Sequence, residues 1–372
     1  MSWQVCRLGD ALTLKRGHDL PEHSRKDGDI PVVSSSGITG RHVEAKALAP
    51  GVVTGRYGTI GEVYFMQEDY WPLNTALYVV DFKGNDPQFS AYFLRNILKG
   101  YQSEKAAVPG VDRNVLHEII VRKPKLAVQC RIRGVLSSYD ELIENNNRRI
   151  KLLEESARLL YQEWFVRLRF PGYEHTCIVD GVPEGWARKS LGDLCKELRE
   201  LVLPSALESE TPYIGLEHMP RRSISLSEWG KVEDVTSSKS QFKAGAILFG
   251  KIRPYFHKVG VAFVDGVASS DAIVIEPVAE WLHGLVLMTM ASDEFVAVTA
   301  QQMKEGSKMP RADWKQMRGY AISLPPMGLL SSFDQVIQPI VSQLKVLAFS
   351  NQKLRIARDL LLPRLMSGEI TV

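Results

Sequence analysis

The chain has 372 residues, of which 45% are hydrophobic and 24% charged, with a formal net charge of +3. This length accommodates two or three domains with real cores. The longest apolar run, residues 284–291, falls well short of the ~18 residues that would cross a bilayer. Gln4, Arg7 and Asp10 interrupt any basic-then-apolar export pattern, so a cytoplasmic location is expected. Cys6, Cys130, Cys177 and Cys195 form no CxxC pair and have no nearby His at ligand spacing. Reduced structural thiols and no metal are expected. A charge of +3 permits nucleic-acid binding without requiring it.

In chain order, β-like runs are predicted at 30–34, 52–54, 62–66 and 75–81, then a helix at 88–100 and a strand at 118–122. After a long helical stretch, the same order returns. Strands are predicted at 213–216, 246–249, 259–264 and 272–276, a helix near 280–298 and a strand near 320–324. Pro124 and the Pro325-Pro326 pair mark the exits, since proline removes a ladder donor.

The two halves are a repeat whose offset grows from 183 to 201 residues. Trp3, Leu8, Gly9 and Asp10 recur as Trp186, Leu191, Gly192 and Asp193. Pro31-Val32-Val33 recurs as Pro212-Tyr213-Ile214, and GVVTGRYGTIGEVYF as GAILFGKIRPYFHKVGVAF. Arg113 and Pro124 are matched with Arg311 and Pro325. Two copies of so large a unit exclude a solenoid. The domains are placed at 1–127 and 183–327, with helical regions at 128–170 and 328–372 and a linker at 171–182.

The helices carry a strict 4,3 spacing, the mark of a coiled coil. Ile132, Leu136, Tyr139, Ile143, Asn146, Ile150, Leu153, Ala157, Leu160 and Trp164 form one seam. Adding 201 gives Phe333, Ile337, Ile340, Leu344, Leu347, Asn351, Leu354, Arg358, Leu361 and Leu365. An antiparallel, centred pairing would set Asn146 against Asn351, Tyr139 near Arg358 and Ala157 near Ile340. A buried Asn pair fixes register because a slip leaves an amide facing hydrocarbon. The alternative is that each helix packs only on its own domain. Pro339 and Pro363 are expected to confine the regular part of the second helix to 340–362.

Several motifs that suggest catalysis fail on their own terms. Gly245-x4-Gly250-Lys251 lacks the Ser or Thr that would bind magnesium in a P-loop; Ile252 stands there. Asn85-Asp86-Pro87-Gln88-Phe89 is not the tetrapeptide of a DNA methyltransferase. Glu44-Ala45-Lys46 with Asp29 imitates a nuclease triad, but the second half has no copy.

What repeats is a Gly-plus-cation loop, Gly55-Arg56-Tyr57-Gly58 and Gly250-Lys251-Ile252-Arg253. A second basic loop precedes each final strand, with Lys105 and Arg113 in the first copy and Lys304, Lys308 and Arg311 in the second. Gly admits close approach to a duplex, and Arg or Lys binds phosphate or a guanine edge. Ser34, Ser35, Ser36 and Arg41, with His257 in the second half, complete the candidate DNA face. The alternative is a set of solvated surface turns.

With these residues in view, the first half (PVVSSSGITG, GVVTGRYGTIGEVYF, PGVDRNVLHEIIVRKP) resembles target recognition domains of type I restriction–modification specificity subunits. DELIENNNRRIKLLEESARLLYQEWF and LLPRLMSGEI resemble that family's central and C-terminal conserved regions. GKIRPYFHKVG departs from the GRxGTxG form, so the second domain is expected to read DNA differently. The resemblance implies an α+β fold: two similar domains joined by an antiparallel pair of long helices, with a pseudo-two-fold axis. It implies a non-catalytic subunit whose domains each read half of a bipartite, asymmetric double-stranded DNA target. Two methyltransferase subunits, carrying S-adenosylmethionine, would dock on the helices, and motor and endonuclease subunits would join indirectly. The alternatives are a specificity module of a nuclease-free methyltransferase system and an enzyme with an unrecognised site.

Overall fold

The computed structural model describes residues 3–56, 61–99, 110–302 and 310–372. They form an α+β protein with two compact units, Met1–Ile143 with Lys353–Val372 and Glu144–Gln352.

In the first unit, Thr13–Arg16, Ala76–Asp81, Gly51–Gly55 and Val63–Met66 lie in that order in an antiparallel sheet. Gly51–Gly55 is buried along its whole length, and its alternating side chains explain why. Val52 packs into the core with Phe89 and Leu94 of the helix Pro87–Lys99. Val53, on the opposite face, packs with Val33, Tyr70 and Tyr78. A second sheet holds Ile30–Ser34 between antiparallel Gly37–His42 and parallel Trp71–Pro72.

The second unit repeats this order. Cys195–Leu198, Ala272–Pro277, Ile247–Gly250 and Val259–Ala262 are neighbours in sequence of pairing, with Ser225–Leu226 added at the edge. Ile247 and Phe249 face one core and Leu248 the other. Pro212–Ile214 again pairs antiparallel on one side, with Gly230–Lys231, and parallel on the other, with Gly266–Ala268.

The repeated LGD is a capped helical turn tied to the final strand region. Leu8 N donates to Ile119 O and Leu191 N to Tyr320 O, each at 2.8 Å. Asp10 and Asp193 accept the backbone N–H of Arg7 and Ser190, at 3.3 and 2.8 Å. Gly9 and Gly192 sit so close to His117 and Arg318 that an added Cβ would lie about 3 Å from their side chains, so a larger residue would push the turn off the strand region.

Three boundary expectations are corrected. Glu118 ends a short helix, Arg113–Glu118, and the strand is Ile120–Pro124. The helix expected near 280–298 is two, His283–Met290 and Asp293–Gln301, because the Ser292 hydroxyl caps the second by accepting Phe295 N at 3.1 Å. The second long helix runs unbroken over Met327–Ser367, through Pro339 and Pro363. Both prolines lie on its exposed side. The roughly 3 kcal/mol that a helical proline costs is offset by a seam whose Phe333, Ile337, Leu344 and Leu365 are fully buried.

The first long helix spans Leu126–Tyr161 and continues into a π-turn, Gln162–Val166. In the first unit its Ile132 and Leu136 share a core with Leu362, Leu365 and Met366. There Arg358 Nη1 also meets Asp140 Oδ1 at 2.6 Å, beside Tyr139, and Tyr92 Oη donates to the other carboxylate oxygen at 2.6 Å. In the second unit Ala157 and Tyr161 share a core with Phe333, Ile337 and Leu344, against which Ile340 packs. Asn146 meets Asn351, and the Trp164 ring lies 5.7 Å from Phe333. As one helix ascends in number the other descends, so the segments are antiparallel.

Candidate nucleic-acid interface

Each unit ties its Gly-plus-cation loop to the cap of a short helix by one equivalent hydrogen bond. In the first, Val111 N donates to Arg56 O at 2.8 Å, and Asp112 caps Arg113–Glu118 by accepting Asn114 N at 2.7 Å. In the second, Ala312 N donates to Lys251 O at 2.9 Å, and Asp313 caps Trp314–Met317 by accepting Lys315 N at 3.0 Å. The pairing of Arg113 with Arg311 is therefore corrected: Trp314 takes the place of Arg113. Arg311 stands two residues before its cap, so only the residue type is shared.

In the first unit Arg56 is half-buried and Arg113 exposed, its guanidinium 3.3 Å from Asn114 Oδ1. Ser34, Ser35, Ser36 and Arg41 belong to the other sheet's hairpin. Ser34 is buried, its hydroxyl donating to Gly37 O at 3.2 Å and accepting Ser36 N at 3.1 Å. Its assignment to a DNA face is corrected: the hydroxyl builds the turn. Arg41 is exposed and donates to Asp29 O. Tyr57, Lys105, Lys304 and Lys308 lie outside the described residues.

In the second unit Lys251, Arg253 and Arg311 are brought together. Ile252 bridges Arg311, and Arg253 N donates to Pro310 O at 3.0 Å. Asp271 engages Arg311 at 3.2 Å, and Lys251 Nζ donates to Ser270 O at 3.0 Å. Asp271 O also receives Lys251 N at 2.7 Å. His257 is removed from the face. Its ring is buried, with Nε2 2.8 Å from Ala291 O and Nδ1 3.5 Å from Asp293. Burial holds its pKa below the ordinary 6.5, opposed by the bond to Ala291. A neutral, enclosed imidazole anchors the loop.

Motifs set aside as non-catalytic have structural employment. Asn85 is buried, its amide donating to Ala11 O at 2.8 Å and accepting from Gln129 Nε2 at 2.8 Å. Asp86 accepts Phe89 N at 2.8 Å. Among the described residues no cluster of His, Cys, Asp or Glu could hold a metal ion, and no helix is long and apolar enough to cross a membrane. Burial pushes the Cys195 thiol up to about 12, which leaves it unreactive.

Residues 1–155 match the family described as the type I restriction modification DNA specificity domain. That stretch is less than half of the chain. It is 23% identical over 289 residues to the type I restriction enzyme MjaIX specificity subunit of Methanocaldococcus jannaschii, covering 71% of this chain and 63% of that protein. The match thus spans less than two thirds of that relative's length. The crystal structure of a type I restriction–modification system S subunit from M. genitalium shares the fold, with a TM-score of 0.63 and 14% identity over 98% of this chain and 96% of that one.

Around this loop the second unit adds Tyr255 and Arg221, which the repeat does not mark. Arg253 and His257, at φ +49° and +54°, bracket the turn Pro254–Phe256, whose Tyr255 is 53% exposed. Arg221 lies 4.0 Å over the Phe256 ring and Arg253 5.8 Å from it. The alternation of cation and aromatic in RPYFHK was the available signal. Burial, and after it the nearby Arg221 charge, hold the Lys258 ammonium below its ordinary pKa.

The long helices also grip residues 222–227 of this unit. Glu154, 6% exposed, accepts on one carboxylate oxygen from Ser223 Oγ (2.6 Å), Ile224 N (2.9 Å), Ser225 N (3.2 Å) and Ser225 Oγ (3.0 Å). One turn on, Arg158 donates to Arg222 O, while Gln352 Nε2 donates to Ser227 O at 2.6 Å. Residues 222–227 are thus fixed to the helices from end to end.

Proposed function

We propose that the chain is the DNA-sequence-specificity subunit of a type I restriction–modification enzyme. Each unit reads one half of a bipartite, asymmetric duplex target, and the chain itself performs no chemistry. The observation that carries this reading is the loop tie found once in each unit, Arg56 O with Val111 N and Lys251 O with Ala312 N. Two equivalent backbone frames carry different side chains, which suits one scaffold reading two unlike sequences. The family match over residues 1–155 supports the same reading.

The long helices set the spacing between half-sites and dock two methyltransferase subunits. Those partners carry S-adenosylmethionine, share the phosphate contacts and so reconcile a net charge of +3 with DNA binding. Motor and endonuclease subunits join through them. A helix of 36 residues is about 54 Å long, which suits half-sites separated by roughly a helical turn or slightly more. Co-expression with the methyltransferase subunit, followed by methylome sequencing, tests the proposal. One two-part methylated motif that appears only with this gene is the expected result; no new methylation would overturn it.

A further inference from the structure

We infer that Arg221 is a base-reading residue of the second unit, held over Phe256 so that its guanidinium presents a fixed fork to guanine in the major groove. This rests on the DNA-recognition reading above and names a residue that neither the repeat nor the family match singles out.

The cations around this loop divide by what they already hold. Lys251 is engaged by Ser270 O, Arg311 by Asp271, and Arg222 by Asp293 at 2.9 Å. Among the described residues, the Arg221 and Arg253 guanidinium groups have neither a hydrogen-bond acceptor nor a carboxylate partner; their contact is the Phe256 face. Arg221 is exposed. A guanidinium stacked on a ring keeps its N–H donors in its own plane, pointing outward, and loses little freedom when they engage a ligand.

The stack is built rather than incidental. Arg222 N donates to His257 O at 2.9 Å, joining the residue after Arg221 to the residue after Phe256. Arg222, Arg253 and His257 are all non-glycine residues at positive φ, +56°, +49° and +54°. Such conformations persist only where surrounding contacts impose them. The contacts here are His257 on Ala291 O, Arg222 on Asp293 and Glu154 on the residues that follow Arg222. A planar donor fork with no internal acceptor, held 4.0 Å from the Phe256 ring centroid, matches the paired O6 and N7 acceptors of guanine. A phosphate would need the charge but not the plane.

The test uses the full chain co-expressed with its methyltransferase subunit, and a duplex pool with randomised half-sites as the probe. Wild type, Arg221→Lys, Arg221→Ala and Phe256→Leu are compared by sequencing the methylated fraction. The expected result is that Arg221→Lys loses preference for guanine at one position of one half-site by ~10-fold or more, with the rest of the motif intact. Phe256→Leu should weaken the same position. A motif unchanged in Arg221→Lys overturns the inference. So does uniform loss in Arg221→Ala that Arg221→Lys restores, which would mark a phosphate contact. If wild type selects no two-part motif, the parent reading fails and this inference with it; a wild-type motif that Arg221→Lys leaves intact sinks the inference alone.

Discussion

Asn146 and Asn351 meet inside the helix seam of the second unit, with Asn146 Nδ2 donating to Asn351 Oδ1 at 2.9 Å. Both are buried, at 8% and 4% exposure, and Asn351 Nδ2 passes the chain on to Asn147 Oδ1 at 2.8 Å. Both polar atoms of the Asn351 amide are thus paired at this register. A shift by one turn would present it to leucine or isoleucine instead, which is costly.

Replacing Asn351 alone by Leu strands the Asn146 donor and the Asn147 acceptor. That variant should lose about 1–3 kcal/mol, read as a lower urea midpoint with an unchanged slope. The double variant, Asn146→Leu with Asn351→Leu, should recover that loss or exceed wild type, because an apolar seam needs no amide partners. The double variant should also methylate targets with altered spacers that wild type ignores. A double variant less stable than Asn351→Leu would contradict this account.

Glu154 offers a second test. Its carboxylate serves two backbone N–H groups and two hydroxyls of residues 223–225. Glu154→Ala leaves these donors buried without an acceptor and should cost about 1–3 kcal/mol. Glu154→Gln keeps a weaker acceptor and should fall between. Since the clamp holds the loop carrying Arg221, both variants should relax sequence preference in one half-site before abolishing methylation. Equal loss across both half-sites would point to global destabilisation instead.

The pH response follows from His257. Its folded-state pKa lies below the ordinary 6.5 because of burial, so the native state binds fewer protons there than the unfolded chain. The stability this neutral ring supports is complete above 6.5 and declines as pH falls below it. Thermal midpoints recorded from pH 8 down to pH 5 should drop, and His257→Gln should flatten that drop. An unchanged slope in the variant would assign the acid sensitivity elsewhere.

How legible was this in the chain? The seam asparagines and the repeat could be read because heptads and strand order depend on local periodicity, which sequence carries directly. The Asp112 and Asp313 caps explain why the Arg113–Arg311 match failed: cap geometry, not residue type, is what recurs. Ser34 and His257 misled for a related reason. Each bears a group suited to DNA, but burial is a tertiary property, and the Gly37 and Ala291 carbonyls already engage the Ser34 hydroxyl and the His257 Nε2. Arg221 is not legible because its partner, Phe256, is distant in sequence and is brought to it by the Arg222–His257 backbone bond. Pro339 and Pro363 do not end the helix, since propensity yields to a well-packed seam.

Charge on the two loops gives the last prediction. Arg56 and Lys251 occupy equivalent frames, each with its carbonyl fixed by the residue before a helix cap. If both side chains meet phosphate, removing either releases one fewer counterion on binding, and the logarithmic salt slope should shrink by ~0.9 per substitution. Measured on the assembled enzyme with target duplex, Arg56→Ala and Lys251→Ala should each weaken binding for every sequence alike. Their effects should add, because the two residues sit in separate units. A base-reading role would look different: loss confined to one position and an unaltered slope. If neither affinity nor slope moves in the double variant, Arg56 and Lys251 are structural parts of their turns, and the reading surface must be sought at Arg113, Arg221 and Arg253.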